Sequence, residues 1–247
     1  MAMEGNQTRQ ILADAEKGQY GVLAAIVYNI EHITAFVKAA EQRRSPLIIQ
    51  LFPSSLVQTP SLVFAAAAAA KRATVPISIH LDHAQDYEQI KHAADNLPFD
   101  SIMVDMSHYE KEENLQKTRA LRDYCHSRGI SVEAETGRIE GGEDGIMDTG
   151  DLEGILTNPE DVEEFIAAGV DFLAPGLVMY METMAQKAPT LIWTAMNGRV
   201  RLVLHGTNDF SPELTQACIK AGVTKVNVNK LVLAPWHDNL HAKATRP

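Results

Sequence analysis

The stretch ISIHLDHAQDYEQIKHAADNLPFDSIMVD, residues 77–105, decides the fold predicted for this chain. It opens with a short apolar run, continues with apolar residues at helical spacing, and ends with a second short apolar run. This order predicts two parallel strands joined by a crossover helix. The first strand ends in Asp82 and His83 instead of a plain turn, which raises the question of what chemistry stands there.

The same alternation of short apolar runs and helical segments recurs along the chain. The predicted strands are GVLAAIVYN, PLIIQLF, VPISIHLD, SIMVD, ISVEAET, VDFLAP, RVRLVLHG and VTKVNVNK. Asn158 before Pro159 and Ser211 before Pro212 predict helix starts. Eight such strands can close on themselves, whereas a doubly wound sheet usually has five or six. We therefore expect an α/β fold, a (β/α)8 TIM barrel forming a single domain over residues 1–247, with an incomplete final helix.

Composition narrows the classes of partner and compartment. The 247 residues suit a one-domain barrel, and the net charge of -10 disfavours nucleic acid and anionic membrane surfaces. No apolar run reaches the roughly 18 residues that would span a bilayer, and the start has no signal-peptide core. Cys125 and Cys218 lack CxxC spacing, which favours neither a disulfide framework nor a zinc ribbon. A cytoplasmic protein is expected.

Polar residues stand at the carboxyl ends of most predicted strands, where barrel active sites lie. They are Asn29, Asp82, His83, Asp105, Ser107, His108, Glu133, Glu135, His205, Asn227 and Asn229, and Gly206 follows His205. Buried charges are costly unless paired or bound to metal, so this convergence predicts a functional site. Taken singly, Asp82 could cap the next helix and His83 could lie in a surface turn.

Two imidazoles on different strands, with carboxylates nearby, suit a divalent metal, and zinc above all. A third protein ligand is then needed. The remaining helical histidines are expected on helix surfaces; they are His32, His92, His126, His237 and His241.

Six segments together resemble the class II, zinc-dependent fructose-bisphosphate aldolase family, including its tagatose-bisphosphate relatives. They are VPISIHLDHAQD, FDSIMVDMSH, GISVEAETGRIEGGEDG, NPEDVEEFIAAGVDFLAP, VRLVLHGTNDF and GVTKVNVNK. They follow the family's order and spacing nearly from end to end. The resemblance implies reversible cleavage of fructose 1,6-bisphosphate, or a related phosphorylated ketose, through an enediolate stabilised by zinc. The products would be dihydroxyacetone phosphate and an aldehyde such as glyceraldehyde 3-phosphate.

The resemblance also implies a role for individual residues. Asp82 would be the acid/base for the C4 hydroxyl, and Glu143, with Glu140 close by, the acid of a mobile loop. His83 and His205 would bind Zn²⁺, while Asp105 and Glu135 would hold an alternative metal position or a second monovalent or divalent cation. The implied substrate-binding residues are Asn29, Gly206, Thr207, Asn227, Asn229 and Lys230. A homodimer or homotetramer is implied.

Some segments depart from the family pattern. The segment VDFLAPGLVMYMETMAQKAP has no histidine where the family has its third zinc ligand, and LFPSSLVQTP replaces a serine and glycines that bind phosphate. Either the chain lacks segments of a longer native protein, or it is a diverged, catalytically impaired member that acts as a binding or structural protein. A Schiff-base aldolase using Lys230 or Lys225 is a further alternative.

Overall fold

Eight parallel strands pair in chain order and close into a barrel, as predicted. The computed structural model describes residues 3–137, 157–175, 196 and 198–244. The strands are β1 Val22–Ile26, β2 Leu47–Leu51, β3 Ile77–Ala84, β4 Ser101–Val104, β5 Ser131–Glu135, β6 Phe172–Ala174, β7 Arg201–Leu204 and β8 Val223–Val228. The last strand pairs with the first, with Val22 opposite Lys225 and Ala24 opposite Asn227.

Helices follow the strands in the described part of the chain. They are α1 Gln7–Gly18, α2 Ile30–Arg43, α3 Pro53–Gln58, α4 Ser61–Arg72, α5 Tyr87–Asn96, α6 Lys111–His126, α7 Pro159–Ala167, α8 Pro212–Lys220 and α9 Lys230–Ala244. Both predicted starts are confirmed: Asn158 caps α7 in a reciprocal capping box with Asp161, and the Ser211 side chain caps α8. None of the described helices is long and apolar enough to cross a membrane.

Helix α1 closes the N-terminal end of the barrel. Ile11, Leu12 and Ala15 are buried in one cluster with Phe172 and other inward residues of the strands. Asn6, just before α1, donates from its amide to the carbonyl of Asp100 at 2.6 Å and to that of Gly129 at 2.9 Å. Those carbonyls precede β4 and β5, so α1 is anchored across the amino ends of these strands. Buried polar side chains line this end too, since the Thr8 hydroxyl donates to the hydroxyl of Ser101, the first residue of β4, at 3.0 Å.

Strand β3 breaks its alternation at the residues that end it. His83 has a left-handed backbone with φ 49°, and the pairing of β3 with β4 shifts register between Leu81 and Ala84. In a regular strand Asp82 and His83 would point to opposite faces. Here both are buried, at 2% and 4% exposure, and both meet the polar residues of the barrel mouth. A left-handed non-glycine residue costs about 1–2 kcal/mol, a strain typical of functional sites.

The final helix, α9, covers the barrel only lightly. It runs for 15 residues from Lys230 to Ala244 with Pro235 inside it, and most of its described side chains are exposed. Its Trp236 ring packs edge-on against His32, with ring centroids 4.9 Å apart. His32 is only 3% exposed, so its predicted place on a helix surface is wrong. The chain after β8 packs over α2, and the sequence of α2 alone does not predict this tertiary contact.

Candidate active site

Two histidines from distant strands face each other in the barrel mouth. Nε2 of His83, at the end of β3, lies 3.2 Å from Nδ1 of His205, which directly follows β7. Their ring centroids are 4.9 Å apart and their planes are nearly perpendicular, at 85°. Both residues are buried. The predicted pairing of these two imidazoles is therefore present in the fold.

Each imidazole is held from behind by a buried carboxylate. Nδ1 of His83 lies 2.9 Å from Oδ2 of Asp105, and Nε2 of His205 lies 2.9 Å from Oε1 of Glu133. A carboxylate accepts, so we assign the N–H of each ring to the nitrogen that faces its carboxylate, although Nε2 of His205 also lies 3.1 Å from the side-chain nitrogen of Asn227. The other two ring nitrogens then face each other at 3.2 Å with lone pairs, which repel unless a proton or a metal cation lies between them. The arrangement fits a divalent metal.

Carboxylates surround this pair within the reach of one ion. Asp82, His83 and His205 form one group of potential ligands, and His83, Asp105 and Glu135 form another, each with its ligand atoms within 4.8 Å of one another. Nitrogen and carboxylate oxygen donors are those that zinc accepts. The two groups share His83, so the described residues offer donors for a cation at either of two neighbouring positions.

Asp105 is fixed by hydrogen bonds on both oxygens. Ser107 donates to Oδ1 from its hydroxyl at 2.6 Å and from its backbone N–H at 3.1 Å, while Oδ2 contacts His83. Burial raises the pKa of Asp105, but the bonds from His83 and Ser107 outweigh burial and lower that pKa below its ordinary value. Glu135 is 4% exposed, and its backbone carbonyl accepts from the amide of Asn114.

Asp82 is held as an ionised hydrogen-bond acceptor beside His83. Gln50 donates to its Oδ2 at 2.9 Å, and the Asn227 amide lies 3.4 Å from its Oδ1. Burial raises the pKa of Asp82, but the neighbouring His83, the contact with His80 and the charge of Lys225 outweigh burial and hold that pKa far below its ordinary value. The alternative role of Asp82 as a helix cap is wrong, because Asp86 caps α5.

A charged cluster lies beneath the two histidines inside the barrel, and sequence reasoning missed it. Nζ of Lys225 is 2.7 Å from Oε2 of Glu133, and both side chains are fully buried. Burial raises the pKa of Glu133, but Lys225 and the bond from His205 together lower it to about 2. Burial and Lys225 lower the pKa of His80. The strict alternation of SVEAE could have placed Glu133 on the inward face.

The ion pair weakens one alternative mechanism. A Schiff-base nucleophile must be neutral and open to substrate, whereas Lys225 is an ion-paired ammonium with no exposed surface. Lys230 begins α9, is exposed, and donates its backbone N–H to the side chain of Asn208. Neither lysine lies where the two histidines converge.

The predicted substrate-binding residues gather around the ends of β7, β8 and β1, which are neighbours in the barrel. Gly206 has the left-handed backbone with φ 63° that follows His205, and the Thr207 hydroxyl donates to the carbonyl of Asn227. Asn229 accepts from the Tyr28 hydroxyl at 2.8 Å. Asn29 caps α2, since its side chain accepts from the His32 N–H at 2.8 Å.

Two predicted features lie outside the described residues. They are the loop acid Glu143, with its neighbour Glu140, and residues 176–195 of the segment that has no histidine.

Comparisons with known proteins identify relatives of this chain. A sequence profile of the family described as Fructose-bisphosphate aldolase class-II matches residues 6–246. A Coccidioides immitis (strain RS) protein provisionally named fructose-bisphosphate aldolase is 48% identical over 258 residues, covering 98% of this chain and 85% of that protein. The fructose-bisphosphate aldolase of Geobacillus stearothermophilus is 34% identical over 233 residues, covering 90% of this chain and 79% of that protein.

Comparison with solved structures gives the same fold. A Coccidioides immitis crystal structure, provisionally described as a fructose-1,6-bisphosphate aldolase, superposes with a TM-score of 0.91 at 48% sequence identity. The match covers 99% of this chain and 88% of that one.

Proposed function

Because this chain belongs to the class II fructose-bisphosphate aldolase family, we propose that it cleaves fructose 1,6-bisphosphate, or a closely related ketose bisphosphate, with the help of zinc. The products are dihydroxyacetone phosphate and glyceraldehyde 3-phosphate or a similar aldehyde. Family membership makes the protein an aldolase, a lyase that breaks a carbon–carbon bond. The observation that carries the metal requirement is the pair of ring nitrogens of His83 and His205, 3.2 Å apart.

The metal ligands in this proposal are His83 and His205, with Asp105 and Glu135 as the carboxylates that accept an alternative position or a second cation. Residues 175–195 contain no histidine, so a carboxylate is the available third donor from the described residues. When bound, the metal supplies a Lewis acid that stabilises negative charge developing on a substrate oxygen.

Asp82 acts in this scheme as the base that takes the proton of the C4 hydroxyl. Its carboxylate is ionised and is held by donors from Gln50 and Asn227, so it can only accept. It adjoins His83, so proton removal and stabilisation of charge occur on neighbouring atoms. Glu143 is proposed as the second proton carrier.

The substrate lies over the ends of β7, β8 and β1. The turn after His205 offers backbone N–H groups at Gly206 and Thr207 for one phosphate, and Lys230 adds a positive charge. Asn227, Asn229 and Asn29 are proposed to orient the sugar. We place the enzyme in the cytoplasm as a homodimer or homotetramer, in keeping with its two buried, unbridged cysteines.

The test is a cleavage assay on the purified protein that detects the released triose phosphates. We expect activity that a chelator abolishes and zinc restores, and full activity in excess chelator would refute the metal requirement. Asp82→Asn should lower kcat by roughly 10²- to 10⁴-fold at saturating zinc.

Asp86→Asn is the matched control, because Asp86 lies four residues away and only caps α5. A protein that binds zinc tightly and cleaves no ketose bisphosphate would support the alternative of a catalytically impaired member. Wild-type kcat in Asp82→Asn would remove Asp82 from the chemistry.

A further inference from the structure

Lys225 is a fully buried ammonium inside the barrel, one layer below the two histidines. Its Nζ lies 2.7 Å from Oε2 of Glu133 and 3.4 Å from Nε2 of His80. Glu133 and His80 have no exposed side-chain surface either. Removing such a charge from water costs several kcal/mol, and an apolar pair of similar volume would fill the space as well. The proposed reaction gives Lys225 no direct role, so its presence needs another reason.

Glu133 connects this lysine to the proposed metal centre. Its Oε2 accepts from Lys225, and its Oε1 contacts Nε2 of His205 at 2.9 Å. The same lysine lies beside His80, whose Nε2 is 3.6 Å from Oδ1 of Asp82. One buried cation is thus within two contacts of both the ligand His205 and the base Asp82.

We propose that Lys225 is a positioning residue for the metal centre: it anchors Oε2 of Glu133, so that Oε1 is held against Nε2 of His205 and the other ring nitrogen of His205 is turned toward His83. This inference rests on the metal site of the proposed function. An ammonium only donates, so it requires an acceptor atom of residue 133 on its own side. With a carboxylate at position 133, the atom left for His205 is also an acceptor, and Nε2 of His205 must carry the N–H. Its Nδ1 lone pair then points toward His83.

Replacing Glu133 by glutamine separates this role from simple packing. In Glu133→Gln, Lys225 donates a hydrogen bond to the only side-chain oxygen of residue 133, and the amide nitrogen is left facing His205. Nε2 of His205 must then accept, its N–H moves to Nδ1, and an N–H points at the place of the metal. In Lys225→Met/Glu133→Gln the amide oxygen no longer accepts from a lysine, so the amide can rotate and this oxygen can accept from Nε2 of His205. Removing the lysine should therefore partly repair the damage done by the glutamine.

The experiment measures two properties of each variant. Zinc affinity is determined by competition with a chromogenic chelator, and the His205 tautomer by ring-nitrogen NMR shifts in metal-free, ¹⁵N-histidine-labelled protein. Lys220→Met, at an exposed lysine in α8, is the matched control. We expect zinc affinity in the order wild type, double variant, Glu133→Gln, with Glu133→Gln weaker than wild type by about 10- to 100-fold. His205 should carry its proton on Nε2 in wild type and on Nδ1 in Glu133→Gln.

Several outcomes would overturn the inference. One is a Glu133→Gln variant with wild-type affinity and tautomer, and another is a folded double variant that binds zinc no better than Glu133→Gln. If Glu133→Gln does not fold, the double variant is compared with wild type, and a pure Nδ1–H tautomer of His205 in the double variant refutes the inference. In Glu133→Gln, a mixed His205 tautomer with weaker zinc binding supports the inference, whereas a pure Nε2–H tautomer of His205 with wild-type zinc affinity refutes it. Wild-type protein that binds no zinc refutes the proposed function instead, and the tautomers of the metal-free variants still test Lys225.

Discussion

Replacing Glu133 should change how stability depends on pH. The pKa of this buried carboxyl is lowered from 4.5 to about 2, because Lys225 and the bond from His205 outweigh burial. A depressed pKa contributes stability that is present above 4.5 and is lost as the pH falls toward 2. Each pH unit in that window is worth about 1.4 kcal/mol, so Glu133 contributes about 3 kcal/mol at neutral pH. About 2 kcal/mol of this should disappear by roughly pH 3.

Urea unfolding of metal-free protein at a series of pH values tests this value. Glu133→Gln should be less stable than wild type by about 3–5 kcal/mol at neutral pH, because it leaves the buried charge of Lys225 without a countercharge. The gap should shrink by about 2 kcal/mol near pH 3. Glu113→Gln reports the effect of removing an exposed carboxylate. A gap between Glu133→Gln and wild type that stays constant with pH would refute the reasoning.

Three further predictions concern other parts of the fold. Burial raises the pKa of the Cys125 thiol from 9.0 to about 12. The thiol therefore ionises first in the unfolded chain, and the free energy of unfolding should fall as the pH rises above 9.0. Iodoacetamide should label Cys125 only on unfolding, as mass spectrometry would show. Gly206→Ala should lower the free energy of unfolding by about 1–2 kcal/mol, because φ is 63°; an unchanged urea midpoint would contradict this. Asn6→Ala removes a helix cap and two bonds to the carbonyls of Asp100 and Gly129, and should cost about 1–3 kcal/mol in the same assay.

The barrel could be predicted because each strand is a separate short apolar run whose last residues are polar. The runs ending in Asp82 and His205 show this clearly, since both polar ends reach the same mouth once the strands are parallel. A parallel barrel brings the carboxyl ends together whatever the loops do. The position of these residues therefore follows from strand order alone, without knowledge of any side-chain contact.

The contacts within the site could not be predicted in the same way. Alternation would have placed His83 outside the barrel, and only the left-handed backbone at that residue turns it inward. No property of the residues around His83 requires a left-handed backbone at this position. The pairing of Glu133 with Lys225 joins residues 92 positions apart, and it depends on the register between strands that are not sequence neighbours. His32 was misplaced for the same reason, because Trp236 covers it from the far end of the chain.

The buried lysine also decides where a metal can bind within this polar interior. His80, Asp82 and Glu133 form a third group with ligand spacing, so spacing alone would allow a cation one layer below the two facing histidines. Lys225 already places an ammonium beside Glu133 and His80, and a divalent ion there would meet a like charge at close range in a medium of low dielectric constant. Repulsion removes the lower position and leaves the groups that contain His83. The left-handed turn at His83 and the buried charge of Lys225 thus act together: one brings a proposed metal ligand into the mouth, and the other disfavours a cation in the layer beneath it.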